Sequence, residues 1–108
     1  MANGKRWTVQ DKYGNAVYLT EERWQHIVNN HPLMRDYEHH LKTTIVRGRR
    51  HPDALDPSEY RYRYSFEDLP SRFKHLVAIV LCRFDVDENG KTLPNHFIVT
   101  AYLTICDT

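Results

Sequence analysis

The chain has 108 residues, of which 41% are apolar and 27% charged, and its formal net charge is +1. This length indicates a single domain with one modest core, and no segment has the roughly 20 apolar residues of a transmembrane helix. The near-neutral charge is unlike that of a strongly basic nucleic-acid binder, and the first six residues lead into no secretory apolar run, so we expect a cytoplasmic protein.

Local patterns predict seven elements. A turn containing Gly14 and Asn15 separates the first two strands, because both residues tolerate positive φ. Thr20 is the predicted N-cap of the first helix, Pro32 ends it, and Gly48 ends the second. In chain order the predicted elements are strands 7–10 and 16–19, helices 21–30 and 37–46, and strands 60–66, 76–82 and 96–105.

The strand patterns differ in a way that predicts their positions. In residues 60–64 tyrosine and arginine alternate, which places the tyrosines on one face and both arginines on the other. Residues 76–82 are an unbroken apolar run, as in a central strand covered on both faces. The order of elements predicts one α+β domain over residues 1–108, with an N-terminal β-hairpin and two helices packed on an antiparallel sheet of about four or five strands.

The histidines and cysteines predict no metal site or cofactor. His26 and His31 are five residues apart, one more than would stack two ligands on a helix. The adjacent His39 and His40 are predicted to be solvated. The segment 85–90 resembles half of a calcium loop, but its Asn-Gly pair is explained by a hairpin turn. Cys82 and Cys106 are predicted to be buried thiols in strands.

His26 and His31 differ in their predicted surroundings. His26 lies off the apolar stripe of the first helix and should be partly exposed. His31 lies at the end of that stripe, where it is either a structural residue that caps the helix end or a catalytic acid or base.

Arginines and hydroxyl groups indicate a polar site on the sheet. Arg61 and Arg63 share a strand face, and guanidinium groups bind phosphate oxygens in a bidentate manner, although a solvated sheet face is the more common explanation for such a pair. On the last strand, residues 97, 99, 101 and 103 are predicted to face one side, and Ile98, Thr100 and Tyr102 the other. If Thr100 and Tyr102 share the face of the arginines, the four form one patch.

A second set of basic residues is predicted to contact nucleic acid outside that patch. These residues fall in two local basic segments, 47–51 and 72–75, that can hold phosphates although the total charge is close to zero. They are Arg47, Arg49, Arg50 and Lys74.

Four segments together resemble the small ribonuclease superfamily that groups barnase, EndoU, the tRNA-cleaving colicins and the RelE toxins, most closely its phage and mobile-element branch. They are YLTEERWQHI at 18–27, HP at 31–32, YRYRY at 60–64 and IVTAY at 98–102. The resemblance implies a RelE-like domain of two helices on an antiparallel sheet, with metal-independent RNA cleavage by attack of a 2′-hydroxyl on the adjacent phosphate.

Carried onto this chain, the resemblance implies a role for each candidate. His26 or His31 would be the acid or base, Arg61 and Arg63 the phosphate clamps, and Thr100 or Tyr102 an orienting hydroxyl. The sequence therefore predicts a small endoribonuclease acting on RNA, as a toxin with an antitoxin partner or within a mobile-element system. The alternatives are a non-enzymatic module that binds protein or nucleic acid through the same face, and a structural domain of a mobile element.

Overall fold

The computed structural model describes residues 4–105, which form two α-helices and a six-stranded sheet. Cys106 lies outside the described residues. Within residues 4–105 no helix is both long enough and apolar enough to cross a membrane. In chain order the elements are β1 (Lys5–Gln10), β2 (Ala16–Thr20), α1 (Glu21–Asn30), a short 3-10 helix (Pro32–Asp36), α2 (Glu38–Arg47), β3 (Arg49–Pro52), β4 (Glu59–Ser65), β5 (His75–Val86) and β6 (Thr92–Thr104).

The sheet has the strand order β1-β2-β6-β5-β4-β3. The predicted α+β class and N-terminal hairpin are confirmed, but the predicted four or five antiparallel strands are wrong in two respects. β2 runs parallel to β6, over the pairs Val17–His96 and Tyr18–Phe97, so the sheet is mixed. The additional strand is β3, a four-residue strand at the edge of the sheet. Its sequence has no apolar alternation, and its last residue is Pro52, a residue type that edge strands tolerate.

The apolar run at 76–82 forms the centre of the sheet. It lies within β5, which pairs with β4 on one side and β6 on the other. Leu76, Ala78 and Val80 point to the core, as does Tyr62 of β4, and all four are fully buried. The helices cover this face with a stripe of apolar residues from each: Trp24, Ile27, Val28, Leu41 and Ile45. The prediction that the tyrosines of β4 pack toward the helices is thereby confirmed for Tyr62.

A bulge in β6 changes which of its residues face the core. Ile79 pairs with Thr100, but the next residue, Val80, pairs with Ile98, so Val99 is an extra residue in β6. Such an insertion reverses the side-chain alternation from that point on. Ile98 is therefore a core residue together with Ala101, and the predicted placement of Ile98 beside Thr100 is wrong.

Gly48 joins α2 to β3 at a place with no room for a side chain. Its N–H donates to the carbonyl oxygen of Thr44 at 2.8 Å and ends α2, as predicted. A Cβ atom built on Gly48 would collide with the same carbonyl oxygen and would lie 2.8 Å from the carbonyl oxygen of Arg63. The absence of a side chain at residue 48 therefore lets β3 start directly beside β4.

Candidate functional site

The sheet face away from the helices, here called the open face, carries most of the predicted site. Residues directly opposite each other in antiparallel strands point to the same side, so the register defines its members. One row across β3, β4, β5 and β6 consists of Arg49, Arg63, Val77 and Tyr102. The next row consists of His51, Arg61, Ile79 and Thr100.

These rows bring the four predicted strand residues together. Arg61 and Arg63 lie two strands from Thr100 and Tyr102, a backbone separation of about 10 Å that long side chains can bridge. Val77 forms the floor between Arg63 and Tyr102 and is only 3% exposed. Arg61, in contrast, is exposed, and its side chain makes no hydrogen bond or ion pair with the rest of residues 4–105. The open face thus presents guanidinium and hydroxyl groups around an apolar floor.

His31 lies at the margin of this face. Its ring is half-buried, and the ring centroid is 5.8 Å from that of Tyr102. The backbone of His31 ends α1, because its N–H donates to the carbonyl oxygen of Ile27 at 2.7 Å. β2 pairs with β6 only at residues 96 and 97 of β6. Beyond that point the end of α1 packs beside β6 and places the His31 ring next to Tyr102. His31 therefore caps the helix through its backbone, and its side chain lies against Tyr102 in a depression that Met34, Phe73 and Leu103 also line.

His26 has different surroundings. It is exposed on α1, as predicted, and its Nε2 is 3.1 Å from the side-chain nitrogen of Asn30. It lines a shallow depression formed by α1 residues alone, with Glu22 and Asn29 among them. No strand residue lines that depression, so His26 is not among the residues that the fold gathers around the open face.

The other basic candidates are divided between the faces. Arg49 lies on the open face beside Arg63, whereas Arg47 is exposed in the last turn of α2 and Lys74 is exposed just before β5. Arg50, the next residue after Arg49, points to the helix side. Its guanidinium stacks 4.3 Å from the centroid of the Tyr60 ring.

Arg50 belongs to a polar cluster with Asp11 and Tyr62. Asp11 is only 5% exposed. Its carboxylate accepts a hydrogen bond from the Tyr62 hydroxyl and from the backbone N–H groups of Tyr13, at 2.9 Å, and Asn15, at 2.8 Å. Burial alone would raise the pKa of Asp11, but these hydrogen bonds hold it below its ordinary value. Burial and the bond to Asp11 raise the pKa of Tyr62. The cluster closes the β1–β2 turn over the sheet and is structural.

Asp11 should make folding sensitive to acid. The pKa of the Asp11 carboxyl is lower in the folded state than in the unfolded chain. Its contribution to the free energy of unfolding is therefore complete above the unfolded-state pKa and is lost as the pH falls through the folded-state pKa. We expect Asp11→Asn to cost about 2 kcal/mol at pH 7 and much less at pH 3, by urea unfolding. Glu88→Gln, at an exposed position in the β5–β6 turn, is the control and should leave the free energy of unfolding unchanged at both pH values. An equal loss for Asp11→Asn at both pH values would contradict this account.

Two open-face residues were not selected from the sequence. Ser65 and His75 pair across β4 and β5, and the Ser65 Oγ lies 2.7 Å from the His75 Nδ1. They occupy the row next to Arg63 and Tyr102, with Thr104 completing it. The sequence does indicate that both residues face the same side as Arg61 and Arg63. Ser65 continues the alternation of the two arginines, and His75 directly precedes the apolar run at 76–82.

His40 corrects a further expectation. It was predicted to be solvated, but its side chain is only 19% exposed, and its Nε2 lies 2.9 Å from Asp68. Its ring packs against Phe66, with centroids 4.7 Å apart. The chain segment that follows β4 covers this side of α2, and helix periodicity alone carries no information about that segment.

The protein is thus an α+β domain with arginine and hydroxyl side chains on its open face and a histidine beside Tyr102. Guanidinium groups can bind a phosphate, and an imidazole can accept or donate a proton. Within residues 4–105 no three His, Cys, Asp or Glu side chains are grouped so as to hold a metal ion. Comparison of the chain with protein-family models, curated proteins and solved structures finds no match in any of the three. The functional assignment therefore rests on the chemistry of the open face.

Proposed function

We propose that the protein is a small endoribonuclease that cleaves RNA on its open face without a metal ion. The observation that carries this proposal is the cross-strand alignment of Arg61 and Arg63 with Thr100 and Tyr102, next to the ring of His31. It agrees with the activity that the sequence resemblance implies. A phosphodiester needs cations for its charge and a group that accepts a proton from the attacking hydroxyl, and this face offers both.

In the proposed reaction, the ribose 2′-oxygen forms a bond to the adjacent phosphorus and the bond from phosphorus to the 5′-oxygen breaks. His31 accepts the proton of the 2′-hydroxyl, and the departing 5′-oxygen takes a proton from water. Arg61 and Arg63 stabilise the charge on the phosphate oxygens, to which Thr100 and Tyr102 donate hydrogen bonds. The products are a 2′,3′-cyclic phosphate and a free 5′-hydroxyl. His31 is preferred to His26 as the base because its ring lies near that of Tyr102, whereas His26 lines a depression of α1 residues.

Cleavage in the presence of a chelator tests this mechanism. A single-stranded RNA should be cut in EDTA to give 2′,3′-cyclic phosphate ends, whereas the same sequence in DNA should survive because it lacks the attacking hydroxyl. The Arg61→Ala protein is the control for contaminating nucleases and should be far less active. Activity that disappears with EDTA, or that the Arg61→Ala preparation retains in full, would contradict the proposal. An inert protein that still binds RNA would instead be a binding module.

A further inference from the structure

Beside Arg61 and Arg63 lies a cavity of about 540 Å³, bounded by the β3–β4 loop and the open face. We propose that it binds the base of the nucleotide whose phosphate lies on those arginines, and that it prefers bases with an exocyclic amino group to uracil. This inference rests on the proposed function and names the part of the RNA that the site selects.

The size and surfaces of the cavity suit a flat heterocycle. Its volume falls in the range of small-ligand pockets, and its lining combines four apolar residues with five charged or titratable ones. Ile79 is the floor and Leu55 forms a wall. Leu55 is 95% exposed, a position that costs free energy in water unless something covers it. A base inserted between Leu55 and the guanidinium of Arg61 would cover it and stack on the arginine plane.

The wall that carries Leu55 is held in place before any ligand binds. The Oδ1 of Asp53 accepts the backbone N–H of Leu55 at 2.7 Å and that of Asp56 at 3.1 Å. The loop is closed at its base by the N–H of Asp53, which donates to the carbonyl oxygen of Glu59 at 2.8 Å. A preformed wall lowers the entropic cost of binding.

Glu59 supplies the discrimination between bases. Its half-buried carboxylate lines the cavity and, when ionised, only accepts hydrogen bonds. Adenine, cytosine and guanine each present an amino group that can donate to it. Uracil has no amino group, and two carbonyl oxygens flank its single N–H. These oxygens would face the Glu59 carboxylate, and two hydrogen-bond acceptors repel each other. Asp53, the other acid of the lining, already uses one oxygen within the loop.

Binding of nucleoside 3′-monophosphates tests this proposal without any cleavage step. By calorimetry, AMP, CMP and GMP should each bind the wild-type protein about tenfold more tightly than UMP, because the mismatch leaves a polar group unpaired. Glu59→Gln should bring all four within about twofold, since an amide both donates and accepts. Leu55→Ser should weaken all four and leave the affinity for inorganic phosphate unchanged. Glu59→Gln removes a negative charge beside the arginines and should strengthen phosphate binding, an effect common to all four nucleotides.

Matched controls lie on the distant β5–β6 hairpin. Glu88→Gln and Leu93→Ser change the same side-chain types at exposed positions and should retain the wild-type affinities. The proposal is overturned if UMP binds as tightly as the other three nucleotides, or if Glu59→Gln and Leu55→Ser bind them as the wild type does. Selective nucleotide binding by a protein that cuts no RNA would refute the ribonuclease but retain this subsite. Cleavage of RNA without selective binding would refute the subsite alone.

Discussion

Replacing His31 with alanine is expected to slow RNA cleavage by about a hundredfold or more, the usual scale for the loss of a proton-transfer group. The loss should appear in kcat, while binding of a non-cleavable 2′-deoxy oligonucleotide changes little, because proton transfer occurs only in the transition state. His26→Ala is the matched control, since its exposed ring lies beside Asn30 of the same helix and lines a depression of α1 residues, and it should cleave at the wild-type rate.

The same assay separates His31 from the arginine clamps. Arg61→Ala should weaken binding of the 2′-deoxy oligonucleotide and lower the rate together, because the clamp holds the phosphate before and during the reaction. Lys91→Ala, which removes an exposed cation in the β5–β6 turn, controls for the change in net charge. If folded His31→Ala protein retains the wild-type rate, His31 is not the base.

The second large effect is on stability, at Gly48. We expect Gly48→Ala to lower the free energy of unfolding by about 3 kcal/mol, which corresponds to a Tm decrease of roughly 12 to 24 °C for a domain of this size. The cause is the collision of the new Cβ with the backbone oxygens of Thr44 and Arg63, which belong to packed elements and cannot move away cheaply.

A second glycine provides the control. Gly90 has φ of 81° in the β5–β6 turn, and a Cβ atom placed on it would meet nothing within 4 Å. Gly90→Asn, which introduces a residue that tolerates this φ, should therefore cost far less. Thermal unfolding by circular dichroism measures both variants. A Gly48→Ala protein as stable as Gly90→Asn would show that β3 can separate from β4 without cost.

The sequence predicted the faces of the strands wherever the alternation was unbroken. In β4 it assigned Tyr62 to the core and Arg61 and Arg63 to the opposite face, which the register confirms. It failed at Ile98, because the bulge at Val99 is a property of how β5 and β6 align and leaves no local signature. It also missed β3, whose pairing depends on Gly48 rather than on an apolar pattern.

The composition of the site was less predictable than its strands. Thr100 lies in the row of Arg61 because of the register of β4, β5 and β6, which the sequence alone does not determine. The position of His31 depends on α1 packing beside β6, and the cavity depends on the conformation of the β3–β4 loop. Both are tertiary features between segments that are distant in sequence, and no periodicity within one segment encodes them.

The most direct test of the open face as the RNA site is an NMR titration with a short 2′-O-methyl RNA, which binds but cannot react. We predict that the amide and side-chain signals of Arg61, Arg63, Thr100 and Tyr102 shift together and saturate at the same concentration, with the ring signals of His31. The signals of His26 should stay unchanged. Shifts confined to the outer surface of α1, or no shifts at all, would contradict the account.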